Sequence, residues 1–321
     1  LVDAAASLRV GLPASLDSQV GPVVVPDDEK AVRGLTTLGE GEHWVLEPRY
    51  LGDGLWTPGI RAGVVPGSEF HLTEYFAPVL GVMRVDTLED AIEAVNEVDY
   101  GLTSGLHTLD TDELATWLEG IEAGNLYVNR GITGAIVRRQ PFGGWKRSAI
   151  GSTTKAGGPS YLLGLGEVEP ARETSVGASD APAEALDSSV LALCQAAGPH
   201  LSADDAAELS RAVAADGAAW ASDYGANRDV TGMTCERNVL RYRPTPVLVR
   251  AGSGTALVDT VRVLAAGILA GGPIGLSVAD ELPASVWELL EGWGIEVTVE
   301  DAPSWDSRLA MVANSGGLGM R

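Results

Sequence analysis

The densest group of residues that could do chemistry runs from Asn129 to Gly144 (NRGITGAIVRRQPFGG). Gly131 and Gly134 allow a ligand to approach the backbone closely, and successive N–H groups at such a turn make a concavity for a carboxylate. Gln140-Pro141-Phe142-Gly143-Gly144 holds one aromatic between a rigid residue and two flexible ones, an arrangement that can wall an apolar slot. The same composition also suits a glycine-rich crossover with a core Phe, and composition alone leaves both open. Between Glu122 and Glu167 there is no acid, yet the stretch carries Arg130, Arg138, Arg139, Lys146, Arg147 and Lys155. In a chain of net charge −22, such a window fits either an anionic ligand or a subunit contact facing an acidic surface. Elsewhere the candidates are thinner. His43, His71, His107 and His200 show neither metal spacing nor a nucleophile partner, so no metal site is expected. Arg250-Ala251-Gly252-Ser253-Gly254-Thr255 has the form of a strand-to-phosphate turn but lacks the third glycine of G-x-G-x-x-G, a weak signal.

The elements that must position these residues alternate between strand and helix. Val79 to Val85 is a short apolar run suited to a buried strand. Thr87 with Asp90 is a capping-box pattern opening a helix with Leu88, Ala91, Ile92, Val95 and Val98 on one face. A second helix follows Asp110, with Leu114, Trp117, Leu118 and Ile121 on its buried stripe and Gly124 as its stop. Leu126 to Val128 is the next strand, which places the Asn129 motif at a strand's carboxyl end, where open α/β sheets bind ligands. Glu169 to Ser189 has no apolar period and reads as a linker. Beyond it the grammar returns: a helix capped by Ser202 and Asp205, a strand at Pro246 to Val249, a helix from Thr255 to Leu269, a strand at Ile274 to Val278, a helix near Val286 to Trp293 and a strand at Ile295 to Val299. Strand–helix–strand spacing of this kind implies parallel sheets.

The acidic charge argues against a nucleic-acid partner and against docking on anionic lipid. No apolar run reaches the length of a membrane span, and two cysteines cannot form a secreted disulfide framework, so a cytoplasmic location is expected. The chain opens at Leu1 in an amphipathic segment and stops just after a glycine-rich stretch, and is read as a piece of something longer.

Several motifs carry a family resemblance. They are Ser68-Glu69-Phe70-His71-Leu72-Thr73-Glu74-Tyr75-Phe76-Ala77-Pro78-Val79, Tyr100 to Gly105, Gly124 to Arg130, Thr133-Gly134-Ala135, Gln140 to Gly144, and Lys155-Ala156-Gly157-Gly158-Pro159. Through them, Gly67 to Tyr161 resembles the carboxyl-terminal part of aldehyde dehydrogenases. Within that superfamily it is most similar to L-glutamate γ-semialdehyde (Δ1-pyrroline-5-carboxylate) dehydrogenases, above all those of the bifunctional proline utilization A type. The resemblance implies an α/β fold: the carboxyl-terminal part of a catalytic domain at 1–147, an oligomerisation segment at 148–168, the linker at 169–189, and a Rossmann-like non-catalytic domain at 190–321. It implies NAD-dependent oxidation of the semialdehyde to glutamate in proline catabolism, a homo-oligomer, and FAD only if the parent is bifunctional. By the same resemblance Glu74 holds the nicotinamide-ribose hydroxyls, Phe76 and Leu102 lie against the nicotinamide, Gly134 and Ala135 bind the substrate's α-carboxylate through backbone N–H groups, and Phe142 lines the aldehyde slot.

The chain departs from the family at the nucleophile. The family uses a cysteine thiolate to attack the aldehyde; Cys194, in an apolar helical stretch, and Cys235 both follow the linker and read as core or incidental thiols. No catalytic residue is therefore assigned, and the chain alone is expected to be inactive. The alternative is a non-catalytic α/β module with a structural or assembly role. For the second unit a structural part is expected: burying the linker, covering a tunnel between active sites, or supporting oligomer contacts.

Overall fold

The computed structural model describes residues 1–26, 28–137, 139–149, 155–167, 186–229 and 231–314. Most of the expected linker, and part of the expected oligomerisation segment, lie outside the described residues. Contacts divide the chain into two units, residues 1–136 with 141–161, and residues 137–140 with 162–321.

In the first unit a short helix α1 (Val2–Ala6) precedes α2 (Glu29–Thr36), whose first turn is capped by the Asp28 carboxylate accepting from the Lys30 N–H. Then come β1 (His43–Leu46), a hairpin of β2 (Tyr50–Gly52) and β3 (Leu55–Trp56), and β4 (Gly59–Val64). β4 is the middle strand of a sheet, antiparallel to β1 and parallel to β5 (Val79–Met83), with the single-turn α3 (Glu69–Leu72) on the crossover. Arg61 of β4 is the hub of this layer. Its side chain is buried beside a buried Glu42 carboxylate at 2.8 Å. It also donates to the carbonyls of Thr37 (2.8 Å) and Gly34, and its guanidinium lies on the rings of Trp44 and Phe70. A buried charge is tolerated only when it is so surrounded.

Helix α4 (Leu88–Asn96) opens with the expected Thr87–Asp90 capping box. Its buried face is narrower than the spacing predicts: Ile92 and Ala94 are buried, but Val95 is 47% exposed. The expected parallel pairing is realised as two separate pairs, β4 with β5 and, further on, β7 (Thr103–Leu106) with β8 (Asn125–Val128), joined by α5 (Thr111–Gly120). A small antiparallel pair, β6 (Tyr100–Gly101) with β9 (Trp145–Lys146), closes this region. The Asp110 carboxylate caps α5 as expected, and Trp117 and Ile121 are buried. The helix ends at Gly120, not at Gly124, because Ile121 turns to extended backbone with its side chain in the core. Gly124 serves a different purpose: a Cβ there would overlap the Gly143 carbonyl, so glycine lets the Pro141–Gly144 turn lie directly on the start of β8.

The second unit builds a parallel sheet in the order β12–β13–β14 from β12 (Val247–Ala251), β13 (Ile274–Val278) and β14 (Glu296–Val299), after a hairpin of β10 (Arg228–Asp229) and β11 (Val239–Leu240). The crossovers are α8 (Leu257–Ala270) and α9 (Ala284–Gly292), with α10 (Ala302–Asn314) after the last strand. α6 (Ser188–Ala197) and α7 (Ala203–Ala219), the latter capped by Ser202, contact α8. Leu193, Val261, Leu264, Leu276, Val286 and Leu290 form the core. This is the β-α-β-α-β run that the apolar spacing predicts. Arg250 turns back to the Ser277 hydroxyl (2.6 Å) and the Glu300 carbonyl (3.1 Å), which ties strand ends together.

Candidate functional site

The site grows from the turn after β8. Asn129 adopts a left-handed conformation (φ 55°), and its side-chain amide pairs with both backbone groups of Thr108. This reverses the chain at the end of the strand. Ile132 then folds onto Gly105 of β7, where even a Cβ would collide with it. The loop therefore runs back along β7, and the resulting cleft lies beside the amino end of that strand. It does not lie outside the carboxyl ends, where the motif's position alone would put it.

The cleft has a volume of about 500 Å³ and is lined by Leu102, Thr103, Ile132, Thr133, Gly134, Ala135 and Phe142. Four of the six residues singled out from the sequence, Leu102, Gly134, Ala135 and Phe142, thus meet in one place. Thr103, Ile132 and Thr133 also line it; they lie within the motifs quoted above, which gave them no role of their own. Gly134 has φ +83°, and apart from its chain neighbours no described atom lies within 4 Å of where its Cβ would be. The walls are mostly apolar, and the polar groups come from Thr103, Thr133 and the peptide units of the loop. Such a cleft suits a short aliphatic chain with one anionic end.

Phe142 is held from behind. Its backbone exchanges two hydrogen bonds with Ala156, at 3.0 and 2.8 Å. The buried Asn125 side chain donates to the Pro141 carbonyl (3.1 Å) and accepts from the Gly143 N–H (3.1 Å). The Lys155 ammonium donates to the carbonyls of Gly124 (2.6 Å) and Gly143 (2.7 Å) and to Asn125 Oδ1 (3.2 Å). Burial pushes the Lys155 amine down to about 8.

Glu74 and Phe76 lie outside this cleft, on the segment leading into β5. The segment alternates: Tyr75 is buried, stacked on Phe70 at 5.0 Å, so Glu74 and Phe76 face outward. The Glu74 carboxylate makes no ion pair among the described residues. Phe76 is 67% exposed with φ 49°, a conformation that costs a bulky residue about 1–3 kcal/mol. Its ring is flanked by the Lys30 ammonium at 5.8 Å. An exposed carboxylate able to accept from a diol, next to an exposed ring, fits the sugar and base of a nucleotide cofactor.

The basic window finds its partners inside the protein. Lys146 pairs with Glu122 at 2.7 Å and Arg147 with Asp99 at 2.9 Å. Arg139, which belongs with the second unit, pairs with Glu236 at 3.2 Å. Arg130 stacks over Tyr127 and reaches the Thr133 carbonyl (3.3 Å). Arg138 lies outside the described residues. For Arg139, Lys146 and Arg147 the acids absent from the window are thus supplied from elsewhere in the sequence. His71 is a satisfied histidine, with Nδ1 accepting from the Gly67 N–H and Nε2 against the Ala94 carbonyl. Among the described residues no cluster could hold a metal ion, and no helix is long and apolar enough to cross a membrane. Cys194 is half-buried in α6, with its thiol pushed up by burial, and Cys235 is exposed; both belong to the second unit.

Beside this mixed α/β unit and its cleft stands a direct match: residues 1–165 fit the model of the aldehyde dehydrogenase family. The chain belongs to that family. Its relatives include 1-pyrroline-5-carboxylate dehydrogenases of Bacillus licheniformis (33% identical over 165 residues, 50% of this chain and 32% of the relative) and Bacillus subtilis (35% over 160 residues, 49% and 31%). The bifunctional protein PutA of Rhizobium meliloti is 31% identical over 294 residues, 89% of this chain and 22% of its own length. The solved structure of Proline Utilization A from Corynebacterium freiburgense superimposes with a TM-score of 0.74 at 38% identity, covering 94% of this chain and 31% of that one. The chain spans about a third or less of the length of these relatives.

Proposed function

We propose that this chain forms the cofactor- and substrate-facing part of an NAD-dependent L-glutamate γ-semialdehyde dehydrogenase, which oxidises the semialdehyde to glutamate in proline catabolism. The observation that carries the reading is the convergence of Leu102, Gly134, Ala135 and Phe142 on one cleft. Its apolar length suits the aliphatic part of the semialdehyde, walled by Phe142, while the backbone N–H groups of Gly134 and Ala135 hold the α-carboxylate. The names of the relatives support the same substrate. Glu74 accepts hydrogen bonds from the nicotinamide-ribose hydroxyls, Phe76 packs on the nicotinamide, and Leu102 bounds the space between cofactor and aldehyde. NAD, when bound, supplies the acceptor for the aldehyde hydride.

In this reading residues 1–147 are the carboxyl-terminal part of the catalytic domain, 148–168 an oligomerisation segment of a cytoplasmic homo-oligomer, and 190–321 a non-catalytic domain. Residues 1–165 contain no cysteine, so the thiolate comes from a segment this chain does not carry. FAD enters only if the whole protein is bifunctional. The test is NADH formation from L-glutamate γ-semialdehyde. The purified chain should give none, and a protein joining it to a nucleophile-bearing aldehyde dehydrogenase segment should turn over. Turnover by the chain alone would overturn the missing nucleophile. A joined protein that folds and binds NAD but stays inert would favour a non-catalytic module.

A further inference from the structure

We propose that Lys155 is a positioning residue whose ammonium clamps the Pro141–Gly144 turn to the start of β8 and so fixes the Phe142 wall of the cleft. Its three N–H donors meet three acceptors from two separate places in the chain: the Gly124 carbonyl and Asn125 Oδ1 on one side, and the Gly143 carbonyl on the other. A neutral amine has only two N–H groups. Losing the proton therefore removes one of the three ties and leaves a lone pair facing an oxygen. Close packing makes the clamp specific. A Cβ on Gly143 would lie 2.9 Å from the Lys155 Cγ, and one on Gly124 would overlap the Gly143 carbonyl. Asn125 ties the same turn to β8 through Pro141 and Gly143, and the Lys155 ammonium adds the direct link between the Gly124 and Gly143 carbonyls.

The charges on the elements around the clamp are already paired with each other. The Glu122 carboxylate, two residues before Gly124, holds Lys146 of β9 at 2.7 Å, and Arg147 holds Asp99. Burial is the only cause of the lowered Lys155 value of about 8. The clamp should therefore loosen within an accessible pH range. That this loosening widens a semialdehyde slot rests on the function proposed above; the clamp itself does not.

The chain has three phenylalanines, Phe70, Phe76 and Phe142, so 4-fluorophenylalanine gives three ¹⁹F resonances that can be assigned by single Phe→Leu replacement. In the wild type the Phe142 resonance should shift with a midpoint near pH 8. In Lys155→Met it should be displaced at neutral pH and insensitive to pH. A Phe142 resonance that is flat from about pH 7 to 9.5, or that titrates identically in Lys155→Met, overturns the clamp. If Lys155→Met fails to fold, the wild-type titration alone decides. Adding L-glutamate at pH 7 separates the two ideas. A Phe142 resonance that titrates with pH but ignores L-glutamate keeps the clamp and sinks the substrate reading.

Discussion

Glu74, Tyr75 and Phe76 show how neighbouring residues are sorted by contact. Tyr75 packs against Gly34 of α2, where a Cβ would overlap its ring, and the residues on either side are driven outward. For Glu74 this leaves a carboxylate with charge-assisted capacity to spare. Glu74→Gln keeps the shape and loses the charge, so in an active protein containing this chain it should weaken NAD binding by about 1.5–3 kcal/mol and affect the aldehyde KM little. Separate NAD and aldehyde titrations check this, and equal effects would mean Glu74 is misplaced. Gly134 makes the complementary point. Its φ of +83° suits glycine, and a β-branched side chain there would strain the backbone and intrude where the ligand must approach. Gly134→Val should lower kcat/KM for the semialdehyde roughly 10- to 150-fold, the equivalent of one charged hydrogen bond, while propanal, which has no carboxylate, falls far less. A common factor for both aldehydes would make the loop a mere support. Glu74 and Gly134 stood out as candidates because each lies in a contiguous motif. The contacts of Lys155 and Arg61 were not legible, because their partners are far away in sequence: Gly124 for the one, Glu42 for the other.

At the scale of elements, legibility followed local chemistry. Helices α4, α5 and α7 announced themselves through caps in which Thr87, Asp110 and Ser202 satisfy backbone N–H groups within three residues. The strands of the second unit were legible as bounded apolar runs. β1 to β4 were not, since His43–Leu46 and Tyr50–Gly52 are short and mostly exposed, and they are set by pairing, β1 with β4 and β2 with β3. The stop of α5 was misplaced because burying Ile121 outweighed the glycine signal three residues later. Arg61 ties α2 to this sheet through the carbonyls of Gly34 and Thr37 and, through Phe70 and Tyr75, supports the segment bearing Glu74, while Glu42 balances its charge. Removing one partner strands a buried charge. Glu42→Ala should therefore destabilise the protein by about 3–5 kcal/mol in chemical denaturation. A loss below about 1 kcal/mol, the range of a surface pair, would show that the pair is solvated.

For the molecule as a whole, repeated strand–helix spacing pointed to two α/β units; contacts divide the chain after residue 161, ahead of the expected linker, and each unit has its own core. The cleft's position was less so, because the chain doubles back at Asn129 and places the loop beside β7, a fold-back that depends on contacts with Thr108 and Gly105. The proposed function turns on recognition of an α-carboxylate by the Gly134–Ala135 backbone. It is tested most directly on the ¹⁵N-labelled chain by following the amide resonances of Gly134 and Ala135 during titration with L-glutamate and, in parallel, with 4-aminobutyrate, which keeps the chain and the distal carboxylate but lacks the α-carboxylate. The account predicts saturable shifts of both amides with L-glutamate and none with 4-aminobutyrate. Amides that ignore L-glutamate, or that respond equally to both compounds, would contradict it.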